Sequence, residues 1–113
     1  MIDVQARNFS LTDSINTHIR EKLEHMIHNF GDRLLKITVH LSDDNGPKGG
    51  IDKHCHIHVD MKKLPTVVIK DSEENLYTAI DKACHRAERA VRKSIEKVQT
   101  KARNIDKTAI NEM

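Results

Sequence analysis

Four short stretches of the chain alternate between apolar and polar residues, and this period of two is typical of β-strands with one buried face. They span residues 2–7, 35–42, 54–61 and 65–70. The third stretch alternates most regularly, and its apolar residues are Cys55, Ile57, Val59 and Met61. In the second stretch, the residues predicted to point inward are Leu35, Ile37, Val39 and Leu41. Each predicted strand therefore offers a single apolar face to a core.

Two longer segments carry apolar residues at helical spacing. The first follows Thr12, a good N-cap residue, and is expected to end near Asn29 or Gly31, both common at helix ends. The second follows Asp71 or Ser72, either of which can cap a helix. The two apolar stripes consist of Ile15, Ile19, Leu23, Met26, Ile27 and Phe30, and of Leu76, Ile80, Ala83, Cys84, Ala87, Val91, Ile95 and Val98.

The resulting order of elements is β-α-β-β-β-α. The simplest packing is a two-layer α+β sandwich, in which a four-stranded mixed sheet carries both helices on one face and water on the other. The first strand–helix–strand unit predicts a right-handed parallel crossover, and the last three strands predict an antiparallel meander. Residues 1–103 are expected to form a single domain, and the weakly patterned residues 104–113 a flexible C-terminal tail.

Charge is distributed unevenly along the chain. The 113 residues are 37% hydrophobic and 32% charged, with a formal net charge of +2 at pH 7. Residues 82–103 hold eight Lys or Arg and two Glu, whereas residues 1–81 hold 10 Lys or Arg and 13 Asp or Glu. A compact basic block attracts a polyanion even when the total charge is small.

Five cations of the second helix share one face. At about 100° per residue they fall within about 80° of each other and roughly 130° from the apolar stripe. They are Lys82, Arg86, Arg89, Lys93 and Lys97, and we call them the basic row. No acid interrupts the row, although like charges four residues apart repel slightly. This arrangement favours binding to the phosphates of a structured RNA, and the alternative is a solvated helix face.

The chain also contains eight histidines, three of which follow one strand. His54, His56 and His58 share one face of that strand, and His40 is expected to join them from the neighbouring strand. An H-x-H pair can place two imidazoles on one zinc or nickel ion, but the open face of a sheet offers no obvious pocket. The other hypotheses are a solvated imidazole row that protonates below neutral pH and a minor RNA contact.

No catalytic constellation is found in the sequence. Cys55 and Cys84 lie on inward stripes and are interpreted as buried thiols. Neither G-x-S-x-G nor H-E-x-x-H occurs, so we expect no enzyme, no cofactor and no small-molecule substrate. Aromatic residues make up only 3% of the chain, which argues against base stacking on single strands. Without an apolar stretch of membrane length or a secretory signal, a cytoplasmic protein with no membrane partner is expected.

Residues 75–83, NLYTAIDKA, with RAER at 86–89 and RK at 92–93, resemble the last helix of the ribosome hibernation-promoting factors. These proteins are also called ribosome-associated inhibitor or sigma-54 modulation proteins, and their helix reads roughly D-[ML]-Y-x-A-I-D and then K-L-E-R-Q-[LV]-x-K. The resemblance covers residues 2–98, and residues 6–8 match the G-[RK]-N that follows the first strand in this family. It implies a short form of the family without the C-terminal dimerisation domain, expected to be a monomer.

The resemblance implies a fold similar to a double-stranded RNA-binding domain. It also implies a stress and stationary-phase factor that binds the small ribosomal subunit at the mRNA channel and the A- and P-site tRNA positions, and that inhibits translation. His25 departs from the family, because relatives often have Lys there. The expected contacts to ribosomal RNA are Arg7, Lys22, Lys82, Arg86, Arg89, Arg92 and Lys93, to which the basic row adds Lys97.

Two alternatives remain open from the sequence alone. One is a general binder of structured RNA without ribosome specificity. The other is a metal-binding domain that uses the face of His54, His56 and His58.

Overall fold

The computed structural model describes residues 2–44 and 51–98 with their side chains, and the last helix as backbone on to Glu112. The elements are β1 (Ile2–Arg7), α1 (Asp13–Phe30), a 3-10 turn (Gly31–Arg33), β2 (Leu34–Asp43), β3 (Lys53–Met61), β4 (Leu64–Glu73) and α2 (Leu76–Glu112). The predicted order of strands and helices is therefore confirmed. The predicted tail, residues 104–113, lies outside the residues whose side chains are described.

The four strands form one mixed sheet in the order β1-β2-β3-β4. β1 pairs with β2 in parallel, and β2–β3 and β3–β4 are antiparallel. In this register His40 of β2 lies opposite His56 of β3, and His56 lies opposite Lys70 of β4. The α+β sandwich predicted from the sequence is thus present, with β1 and β4 as its edges.

Apolar residues of both helices and of the inward face of the sheet form one core. Thr12 caps α1, because its Oγ1 accepts a hydrogen bond from the backbone N–H of Ile15 at 3.2 Å. The stripe of α2 contributes small residues, and Ala79, Ala83 and Ala87 are fully buried. Ile95 is the last buried residue of this stripe among those described, and the next predicted position, Val98, is 45% exposed.

The predicted inward position of Leu35 is wrong. Leu34 pairs with Met61 and Lys36 pairs with the next residue of β3, Asp60. Leu35 is therefore an extra residue of β2 without a partner in β3. This β-bulge shifts the alternation by one position. Leu34 is consequently 3% exposed in the core, whereas Leu35 is 56% exposed.

The predicted start of the second helix is also corrected. β4 continues to pair with β3 as far as Glu73, opposite Lys53, so Asp71 and Ser72 lie within the strand. The cap is Asn75, whose Oδ1 accepts hydrogen bonds from the backbone N–H groups of Tyr77 at 2.8 Å and Thr78 at 3.3 Å. The sequence places a capping residue in the right region, but the length of β4 decides which residue it is.

Candidate nucleic-acid interface

The basic row lies exposed along α2, on the side of the helix that faces the β4 edge of the sheet. All five of its side chains, Lys82, Arg86, Arg89, Lys93 and Lys97, are exposed. From the first to the last cation the helix rises about 22 Å, at roughly 1.5 Å per residue. A shallow groove of about 240 Å³ follows the row, and it is lined by Ile69, Arg86, Arg89, Ala90 and Lys93. The predicted row is therefore a continuous exposed surface.

Two cations at the N-terminal end of the row are tied to β4. The guanidinium of Arg86 donates a hydrogen bond from Nη1 to the backbone carbonyl of Lys70 at 2.8 Å. Lys82 forms an ion pair with Glu73, and the hydrogen bond to that carboxylate raises the pKa of the Lys82 ammonium. These contacts hold the N-terminal half of the row at a fixed position on the sheet edge.

Three cations further along the row have no such anchor. Within the described residues, the side chains of Arg89, Lys93 and Lys97 form no hydrogen bond or ion pair, and in this sense we call them the unpaired cations. Their charges stay in contact with solvent, and a phosphate can bind them without displacing a partner. These three side chains are therefore the part of the row best suited to hold a polyanion.

Two acids of α2, Asp81 and Glu88, contact α1 rather than the row. Asp81 Oδ1 lies 2.6 Å from His18 Nε2 and 3.8 Å from Lys22 Nζ. Glu88 contacts His25 of α1 in the same way. These pairs separate the charge of α2 into an acidic side against α1 and a basic side along the sheet edge.

The sequence reasoning missed these helix–helix pairs, although a signal for them exists. His18 and His25 are seven residues apart on α1, and Asp81 and Glu88 are seven residues apart on α2. Equal spacings on two helices place matching pairs along one seam when the helices pack side by side. His25, at the position where the resemblance implies Lys in relatives, thus contacts Glu88.

The remaining predicted RNA contacts, Lys22, Arg92 and Arg7, are not part of the row. Lys22 is at the seam between the helices, 3.8 Å from Asp81. Arg92 is also there, 3.7 Å from Glu88 and with its guanidinium 5.8 Å from the ring centre of Phe30. Arg7 lies on the opposite side of the sheet, where it lines a recess of the open face together with His40. The structure therefore brings five of the eight residues together, leaves Lys22 and Arg92 beside them, and separates Arg7.

The four histidines of β2 and β3 share the open face of the sheet, as predicted. The rings of His40 and His58 meet edge to face with centroids 5.9 Å apart. His54 is held at the end of the row, with Nδ1 2.6 Å from Ser72 Oγ and Nε2 2.9 Å from Asp44 Oδ2. Among the described residues, no group of three or more His, Cys, Asp or Glu side chains is arranged to hold a metal ion.

Both cysteines are buried, as predicted. Cys55 is fully buried and Cys84 is 4% exposed. Burial raises the pKa of the Cys84 thiol to about 12 and that of Cys55 well above its usual range. Neither thiol is therefore set up as a nucleophile.

We expect both thiols to resist labelling by a disulfide reagent near pH 8 in the folded protein. A rise of about three pKa units lowers the thiolate fraction of Cys84 roughly a thousandfold, and burial blocks access as well. Comparison of labelling rates in buffer and in urea measures this protection. Equal rates in the two conditions would show that this part of the core is open.

In the part of the chain with described residues, no helix is both long and apolar enough to cross a membrane.

Comparison with known proteins gives a consistent result. A sequence model of the family described as "Sigma 54 modulation protein / S30EA ribosomal protein" matches residues 2–99. The "Ribosome hibernation promotion factor" of Picosynechococcus sp. is 34% identical over 95 residues, which cover 83% of this chain and 48% of that protein. The chloroplastic "Ribosome-binding factor PSRP1" of Spinacia oleracea is 24% identical over 104 residues, covering 90% of this chain and 34% of that protein. The chain thus aligns with about half or less of these relatives.

Solved structures share the fold. The N-terminal domain of Thermus thermophilus Protein Y superposes with a TM-score of 0.67 at 27% identity, covering 80% of this chain and 93% of that domain. A ribosomal subunit interface protein from Coxiella burnetii superposes with a TM-score of 0.69 at 16% identity, covering 81% of this chain and 93% of that one.

Proposed function

Because this chain belongs to the sigma 54 modulation protein / S30EA ribosomal protein family, we propose that it is a ribosome hibernation factor. It binds the small subunit at the mRNA channel and the A- and P-site tRNA positions, and it inhibits translation on ribosomes idled by stress or stationary phase. The proposed site of action is the cytoplasm, where the protein meets ribosomes. The family is one of ribosome-associated factors rather than enzymes. Two relatives whose names state ribosome hibernation and ribosome binding support this proposal.

The observation that carries the proposal is the basic row with its three unpaired cations. A-form RNA shows its base edges poorly to side chains, so structured RNA is bound mostly through shape and phosphates. A rigid helix with Arg89, Lys93 and Lys97 unpaired among the described residues suits that mode of binding, because phosphate contacts position a protein without reading sequence. The domain then blocks translation sterically, by filling a channel that mRNA and tRNA require.

Lys82 and Arg86 contribute differently under this proposal. Their contacts with Glu73 and with the carbonyl of Lys70 fix the helix face relative to β4. They add positive potential at the sheet edge while the unpaired cations meet the RNA. Lys22 and Arg92 widen this footprint at the seam between the helices, where both remain about half exposed.

Co-sedimentation with ribosomes and isolated subunits on sucrose gradients tests the proposal. We expect the protein to migrate with the small subunit. If the three unpaired cations each neutralise one phosphate, affinity falls about 40-fold between roughly 50 mM and 200 mM salt. The affinity at each salt concentration is measured from the bound fraction in a titration.

Two results would contradict the proposal. Protein that stays at the top of the gradient beside intact ribosomes would show that ribosome binding fails. Comparable affinity for an unrelated RNA duplex of similar length would indicate a general binder of structured RNA instead.

A further inference from the structure

The open face of the sheet carries an unusual set of side chains for a surface turned to water. His40, His56 and His58 lie on adjacent strands, with His40 directly opposite His56 in the register. The His40 and His58 rings are in edge-to-face contact at 5.9 Å. These three imidazoles form one cluster, whereas His54 is held apart by Ser72 and Asp44.

A recess lies beside this cluster at the end of β1. Its volume is about 400 Å³, and no carboxylate lines it. The residues that line it are Gln5, Ala6, Arg7, His40, Leu41, Ser42, His56 and His58. An arginine, three imidazoles, an amide and a hydroxyl thus surround one cavity, and all of them can donate hydrogen bonds to an anionic oxygen.

The charged groups that face the cluster come from every strand. β1 contributes Asp3 and Arg7, β2 contributes Lys36, β3 contributes Asp60 and His54, and β4 contributes Lys70. Asp3 accepts a hydrogen bond from the lining residue Gln5, Asp60 accepts one from Thr66, and Asp44 pairs with His54, so each of these acids already has a partner. Burial, and then the nearby Lys70 ammonium and the other imidazoles, lower the pKa of His56. The recess therefore combines one permanent cation, Arg7, with three imidazoles that become cations on protonation, and no carboxylate lines it.

We propose that this recess binds a backbone phosphate of RNA, and that this second contact tightens as the pH falls below neutral. The proposal rests on the function proposed above, because it takes the RNA to be that of the ribosome. It places the second contact on the face of the sheet opposite the helices. The domain would then be held from both sides, by the basic row on α2 and by Arg7 with the imidazoles on the open face.

The direction of the pH dependence follows from linkage. A bound phosphate favours the protonated imidazoles, so it raises their pKa above the value in the free protein. The added affinity is fully present below the free-state pKa and is lost as the pH rises through the bound-state pKa. If two imidazoles shift by about one unit each, affinity for RNA increases roughly tenfold from near pH 7.5 to near pH 6.

The test measures the affinity of the full chain for small ribosomal subunits near pH 7.5 and near pH 6. The wild type is compared with a triple variant, His40→Gln, His56→Gln and His58→Gln, which removes the protonatable rings. We expect tighter binding of the wild type at the lower pH, and no more than about a twofold change in the triple variant. A matched control, His28→Gln with His85→Gln, alters two exposed histidines of the helices and should keep the wild-type increase.

The outcomes separate this inference from the proposed function. No binding at either pH would overturn both. Wild-type binding that is equal at the two pH values would overturn the inference alone, whether or not the triple variant folds. Loss of the increase in the control would assign it to other histidines. An increase that persists undiminished at high salt would indicate a protein surface as the partner, and would also overturn the inference, because phosphate contacts weaken with salt.

Discussion

Replacing Arg89, Lys93 and Lys97 together by glutamate is expected to abolish binding to the small ribosomal subunit. These are the cations of the basic row without a hydrogen bond or ion pair among the described residues. Charge reversal removes three phosphate contacts and adds three repulsions, so we expect the Kd to rise by well over about a hundredfold at moderate salt. Titration of subunits with the variant, followed by sedimentation, measures the loss.

The fold should survive this change. All three side chains are exposed, and surface substitutions of this kind usually change the free energy of unfolding by less than about 0.5 kcal/mol each. A variant with Arg33→Glu, Lys62→Glu and Lys63→Glu carries the same change in net charge at three exposed positions away from the row and from the open face of the sheet. This control should lose little affinity. Undiminished binding by a folded row variant, or an equal loss in the control, would contradict the assigned role of the row.

Leu34→Ala is expected to destabilise the protein strongly, whereas Leu35→Ala should have almost no effect. The two residues are neighbours and the chemical change is identical, but Leu34 is 3% exposed and Leu35 is 56% exposed. Truncating a buried leucine removes its transfer free energy and leaves a cavity, at a cost of about 2–5 kcal/mol. Leu35 is largely in contact with water in the folded protein, so its truncation to alanine should lower the free energy of unfolding by less than about 0.5 kcal/mol.

Urea denaturation of both variants measures this difference. A loss of about 3 kcal/mol is large for a small domain, whose total stability is commonly about 5–15 kcal/mol. The pair also tests the β-bulge itself. If Leu35→Ala proved the more destabilising change, β2 would pair with β3 without the extra residue, and the inward face predicted from strict alternation would be restored.

The contrast between these leucines shows where sequence reasoning reaches its limit. Alternation identifies β2 because most of its residues keep a period of two, and the burial of Ile37, Val39 and Leu41 follows directly. The bulge is decided by the register against β3, where Leu34 meets Met61 and Lys36 meets Asp60. Such a register depends on a partner strand that is remote in sequence, so the local pattern contains no sign of it.

In the candidate interface, too, the sequence predicts the local arrangement, whereas tertiary packing decides the contacts. The spacing of Lys82, Arg86, Arg89, Lys93 and Lys97 predicts one exposed face, because a single helix fixes their relative directions. The sequence does not reveal which of these cations are engaged. The hydrogen bond from Arg86 to the Lys70 carbonyl requires β4 to lie beside α2, and the contacts of Asp81 and Glu88 require α1 to pack against it. Tertiary packing therefore selects the unpaired cations from the row.

The histidine face was located from the sequence, but its recess was not. Strand alternation alone puts His54, His56 and His58 on one side of β3. The cavity forms because the parallel pairing of β1 with β2 places Arg7 opposite Ser42 and Gln5 opposite His40. Arg7 thereby joins the imidazoles instead of the basic row. Arg7, which the sequence analysis grouped with the helix contacts, thus belongs to a separate candidate contact.

Under the proposed function, this domain occupies the mRNA channel of the small subunit with the basic row against ribosomal RNA. An electron cryo-microscopy map of the small subunit with the bound protein tests it most directly. We predict density for the four-stranded sheet and both helices across the A- and P-site tRNA positions, with Arg89, Lys93 and Lys97 facing RNA phosphates. Density elsewhere on the subunit, or α2 turned with its basic row to solvent, would contradict the claim.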